Sequence, residues 1–210
     1  MFRKFLLTGA AAIMLMTLSA AAYADTFTVV GNSNSNATAT LSITSLSNNL
    51  LCVRVTNTSA GVVTGFGFDL PGSGSYTLQS VTNPGSGTFT FSANAGNVPQ
   101  FNSAGLDFAL VTHADNFAGG NPPSGLNQGQ SSSVFCISGN FTGLSQQQIA
   151  NAVYVRFQAL TTNPGSDVGH GGTPNSPVPE PATMFLLGTG LAGVAAKIRK
   201  RRKASSDEQS

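Results

Sequence analysis

The sequence predicts an all-β domain, an antiparallel β-sandwich of Ig-like or jelly-roll-like form, set between an N-terminal signal peptide and a short C-terminal transmembrane helix. Three observations predict it. Apolar and polar residues alternate with a period of two through the middle of the chain, Gly/Pro/Asn-rich breaks separate the alternating stretches, and unbroken apolar runs occur only near the two ends.

Residues 1–24 come first. Arg3 and Lys4 precede an apolar run over 5–18, and Ala22-Tyr23-Ala24 fits the small-residue cleavage pattern of a secretory signal. Cleavage is expected after Ala24, so that the mature chain begins at Asp25.

The predicted domain covers 25–162. Ala39, Leu41 and Ile43 alternate with Thr38, Thr40, Ser42 and Thr44, and Leu51, Val53 and Val55 alternate with Cys52, Arg54 and Thr56. Each reads as a half-buried strand. The pattern returns at Phe66, Phe68 and Leu70, at Tyr76 and Leu78, at Phe89 and Phe91, at Leu106, Phe108 and Leu110, and at Val153, Val155 and Phe157. Breaks such as Pro71-Gly72-Ser73-Gly74 and Asn83-Pro84-Gly85-Ser86-Gly87 read as turns. Eight or nine short strands so punctuated predict a sandwich. One helix is expected over 145–152, capped by Ser145 with Gln148 in the capping-box position. The stretch 163–177, with Pro164, Gly165, Gly171, Gly172, Pro174 and Pro177, reads as a linker unable to hold a central strand.

Cys52 and Cys136 are the only cysteines, and both lie in the exported part, where thiols are oxidised. They are expected to pair off the main core face, since Cys52 alternates with Leu51 and Val53. The closed loop of 84 residues would stabilise the fold by at most about 4 to 5 kcal/mol through chain entropy.

Charge narrows the functional classes. Eight of the ten basic residues lie at the termini, which leaves Arg54 and Arg156 against Asp25, Asp69, Asp107, Asp115 and Asp167 over 25–177, a net charge of −3. A nucleic-acid partner, which needs clustered Lys and Arg, is excluded on that ground. Candidate chemistry is sparse. His113, Asp115 and Asp107 are expected on one strand face and read as exposed polar residues rather than metal ligands, and His170 and Asp167 are expected in the linker. No nucleophile motif, phosphate-binding loop or paired-cysteine metal motif occurs, so neither an enzyme nor a cofactor is expected.

The C-terminal end has three ordered parts. Val178-Pro179-Glu180-Pro181 is followed by an apolar run over 182–196 and by the basic cluster Lys197, Arg199, Lys200, Arg201, Arg202 and Lys203; a polar tail occupies 204–210. Fifteen helical residues reach only about 22 Å against a hydrocarbon core of about 30 Å, so the helix, expected over 182–198, relies on snorkelling by Lys197 and Arg199. The basic cluster orients it with its C-terminal end in the cytoplasm. These residues closely resemble the PEP-CTERM protein-sorting signal, here over 178–203. The resemblance implies recognition by an exosortase, a membrane-embedded cysteine protease that cuts at or near the motif in exopolysaccharide-producing Gram-negative bacteria. The two prolines hold Glu180 on extended backbone, and Gly188, Gly190 and Gly193 permit close approach of another helix. The stretches 57–62 and 65–70 are similar to segments common in domains that carry this signal.

The expected function is therefore that of an exported structural protein of the cell surface, extracellular matrix or biofilm. Its expected partners are the exosortase, the inner membrane as a transient anchor, exopolysaccharide, and further copies of itself through strands that lack lysine guards. An extracellular glycan-binding module is the second reading, weakened by the absence of Trp and the presence of only Tyr76 and Tyr154 in the mature region. A secreted hydrolase working from aspartates is the third.

Overall fold

A computed structural model describes residues 25–175, except 73, 94, 114–115 and 162–164, so the expected signal peptide, sorting segment with its helix, and polar tail lie outside the described residues. The strands in chain order are β1 (Asp25–Gly31), β2 (Thr38–Ser47), β3 (Leu50–Asn57), β4 (Val62–Phe68), β5 (Thr77–Thr82), β6 (Thr90–Ser92), β7 (Asn97–Val98), β8 (Phe101–Gly105), β9 (Phe108–Val111), β10 (Val134–Ser138), β11 (Val153–Gln158) and β12 (Ser166–Pro174). A 3-10 turn spans Pro122–Ser124, and helix α1 spans Gln146–Asn151. Its capping box is the expected one: Ser145 Oγ accepts from the Gln148 backbone N–H, and Gln148 Oε1 accepts from the Ser145 backbone N–H.

The all-β expectation holds, but the two separate sheets do not. Ten strands form one antiparallel sheet in the order β5-β10-β3-β2-β1-β12-β11-β4-β9-β6, with β7 and β8 as a separate hairpin. The sheet curls into a nearly closed barrel because its alternating apolar residues all need to leave water and only its own concave face can cover them. Phe27, Val29, Leu41, Ile43, Val53, Val55, Phe66, Val155 and Phe157 share that one core. Phe66 of β4 and Phe135 of β10 lie six places apart in the strand order, yet their rings are 6.1 Å apart, with Phe89 against both at 5.6 and 6.3 Å. Aromatic rings thus fill the gap between the sheet's two ends.

Outside β4 lies a second, smaller layer. Gly65 and Gly67 place no side chain on that face; a Cβ at Gly67 would meet Leu106 and Ala109 at 2.8 Å, and one at Gly65 would touch Phe117 at 3.4 Å. Leu106, Ala109, Val111 and Phe117 pack there with Tyr154 and Val168. The alternating glycines of 65–68 therefore serve two-sided packing.

The largest correction concerns 163–177. Residues 166–174 are not a linker but β12, a central strand paired with β1 (Phe27 opposite Pro174) and with β11 (Phe157 opposite Asp167). Its glycines are covered by neighbours: a Cβ on Gly172 would lie 2.7 Å from the Phe27 Cβ and 3.3 Å from the Ala150 Cβ, and one on Gly169 would lie 2.7 Å from the Val30 carbonyl oxygen. The apolar bulk that β12 lacks is supplied by β1 and α1. Leu78 is a smaller correction. Tyr76 is buried as expected, but Leu78 is 37% exposed because every residue of β5 is exposed.

Candidate functional site

The two ends of the domain leave the sheet side by side. Asp25, expected as the first mature residue, is the first residue of β1 and lies opposite Ile43. Asn175, just past β12, donates its backbone N–H to the Thr26 carbonyl at 3.0 Å, accepts from Thr28 Oγ1 at 2.6 Å, and donates from Nδ2 to Thr26 Oγ1 at 3.1 Å. Ala22 and Ala24 of the expected cleavage site, Val178, Pro179, Glu180 and Pro181 of the motif, and the basic cluster from Lys197 to Lys203 lie outside the described residues.

Cys52 and Cys136 are bonded to each other. They face one another directly across the β3–β10 ladder and form a small buried cluster with Val134, apart from the main core, which is the off-core placement expected of them.

At the α1 end of the barrel a cavity of about 430 Å³, open to solvent, is lined by residues that include Asp69, Leu70, Gln148, Asn151, Tyr154 and His170. Asp69 sits just past β4, its backbone N–H bonded to the Ala152 carbonyl at 3.0 Å, so the end of α1 fixes its position. Tyr154 and His170 are cross-strand partners of β11 and β12; their rings stack with centroids 4.1 Å apart, and Phe101 packs against both at 5.2 and 5.4 Å. Tyr154 is buried beneath an exposed His170.

The groove's electrostatics centre on Asp69. Although the His170 side chain is exposed, partial desolvation of its imidazole pushes it below its ordinary pKa, and the Asp69 charge acts against that shift. Burial raises Tyr154 above the usual tyrosine range, and Asp69 adds to the rise. Nearby, burial raises Asp107; the hydrogen bond from the Leu70 N–H at 2.7 Å opposes that shift, and Asp69 reinforces it. Tyr76, which lines a second cavity together with Asp107, is raised by burial and then by the Asp107 charge.

The sequence-predicted polar sites are redistributed. Asp107 precedes β9, His113 lies exposed beyond its end at Val111, and Asp115 lies outside the described residues, so no shared strand face forms between Asp107 and His113. Asp167 is fully buried in β12, where it accepts from the backbone N–H groups of Ser33 (3.0 Å), Asn34 (2.8 Å) and Val168 (2.8 Å). It is a clamp for the β1–β2 loop rather than a linker residue. Asn57 plays a similar part: its buried amide donates to the Gly61 and Leu126 carbonyls and accepts from Ser59, which ties β3 to the start of β4. Sequence reasoning missed Asp69, Asn151 and the pairing of Tyr154 with His170. The alternation Val153-Tyr154-Val155 marks Tyr154 as outward-facing, but its partner became readable only once β12 was known to be a strand. Among the described residues, no group of three or more His, Cys, Asp or Glu is arranged to hold a metal ion, and no helix is long and apolar enough to cross a membrane.

Residues 177–202 match the family model of the PEP-CTERM protein-sorting motif. No curated protein and no solved structure matches the chain. The motif implies a protein targeted by an exosortase and exported to the cell surface or beyond it.

Proposed function

We propose that this chain, with its PEP-CTERM motif, is a non-enzymatic structural protein of the cell surface or exopolysaccharide matrix. Its signal peptide is removed after Ala24, and its precursor is held transiently in the inner membrane by the helix over 182–198. The observation that carries the reading is the match at 177–202, which begins two residues after Asn175. A cut at 178–181 releases a sheet that keeps all of β12. Support for a non-enzymatic role comes from how the carboxylates are engaged: Asp167 holds three backbone N–H groups and Asp107 holds a fourth. Self-association in a matrix is supported by β5, an edge strand whose six residues are all exposed and carry no charge.

The test is fractionation of cells with and without the exosortase. Surface or matrix recovery of the domain in the first, and accumulation of the full-length chain in the inner-membrane fraction in the second, are expected. Equal release of the domain in both strains would reject the sorting route.

A further inference from the structure

We infer that the groove between α1 and the Tyr154–His170 stack is a saccharide-binding site, which rests on the surface reading for the source of its ligand. The hydrogen-bonding groups left over from the internal bonds set its chemistry. Gln148 Oε1 is taken by Ser145, which leaves Nε2 as a donor, and Asn151 Oδ1 is taken by Gln147 Nε2 at 2.7 Å, which leaves Nδ2 as a donor. The neutral form of His170, which its lowered pKa favours, offers one ring N–H and one acceptor nitrogen. The Asp69 carboxylate has no hydrogen-bond partner among the described residues and is an acceptor only.

This mixture discriminates among ligands. A cation calls for acceptors alone, and an anion for donors alone beside positive charge, whereas two amide donors, an imidazole and one carboxylate around one opening match hydroxyl groups that both give and accept. The exposed His170 ring, braced from below by Tyr154 and Phe101, supplies a flat face for the C–H side of a pyranose. Packing against two aromatic rings and the ladder of β11 and β12 fixes that face in place, so little freedom is lost on binding. The site needs no Trp.

The test is affinity electrophoresis of the exported protein, recovered from cells, in native gels cast with dextran, hydroxyethylcellulose or a galactomannan. At least one of these neutral polymers is expected to retard it. Asn151→Ala and His170→Ala are each expected to weaken that retardation about fivefold to tenfold at an unchanged melting temperature. Migration unaffected by all three polymers overturns the inference. Retardation equal in the native and variant proteins overturns it as well, and so does retardation that Asp69→Asn or added salt abolishes while Asn151→Ala and His170→Ala do not, which would identify a charged ligand. The sorting reading is judged separately, by the C-terminal mass of the same preparation, so failure of one does not pass for failure of the other.

Discussion

Strands β12 and β5 reverse what their compositions suggest. β12, SDVGHGGTP, has the glycines and proline of a spacer, yet it lies mid-sheet with ladders on both sides. β5, TLQSVT, has the β-branched residues of an ordinary strand, yet among the described residues it is the edge, paired only to β10 and exposed along its whole length. A strand's place therefore depends on what fills the space around its backbone. Phe27, Val29 and Ala150 cover the glycines of β12, so those positions need no side chains of their own. Among the described residues nothing covers β5, so its β-branched residues buy no central place.

The largest expected effect tests that cover directly. Deleting 166–174 should abolish cooperative unfolding, and Gly172→Val, which drives a branched side chain into Phe27 and Ala150, should cost about 3 kcal/mol in a denaturant titration. A Gly172→Val protein as stable as the native one would mean that β12 is loosely held. Next, replacing Cys52 and Cys136 by Ser opens the 84-residue loop next to the β5 side and should remove about 2 to 5 kcal/mol, measured in the same way. Asp167→Ala strands three backbone donors at the β12 end and should cost about 2 to 3 kcal/mol. By contrast, Val81→Lys on β5, a residue 50% exposed, should change stability by no more than about 0.5 kcal/mol. If it matched the loss at Gly172, the edge assignment would fail.

The smallest effect is a titration. The folded-state pKa of His170 lies below the unfolded value near 6.5, so between the two the unfolded chain binds more protons. Stability on this account falls slightly as pH drops through that window and does not change above it. NMR titration of the imidazole checks the direction, and Asp69→Asn should lower the value further, because the Asp69 charge opposes the shift.

Much of the fold was legible. The strands around Leu41, Val53, Phe66 and Val155 follow the period-two pattern, and the capping box at Ser145 follows its local spacing. The disulfide followed from there being two cysteines in an oxidising compartment. What stayed hidden was non-local. β1, with Phe27 and Val29 between short polar residues, and β12, with its glycines, pair with each other across more than 130 residues as well as with β2 and β11. Barrel closure, where Phe66, Phe89 and Phe135 pack across the gap and the segment 126–132 hydrogen-bonds to both β3 and β4, was equally out of reach of local patterns. The groove shared that fate, since half of it hangs on His170 of β12 and the other half on Asp69 and α1.

One mass spectrum of the protein released at the cell surface tests the account most directly. It predicts an N-terminus at Asp25 and a C-terminus between Val178 and Pro181, with β12 retained, and a chain extending to Ser210 when the exosortase is deleted. A released chain that ends before Pro174, or one that still reaches Ser210 in cells possessing the protease, would contradict it.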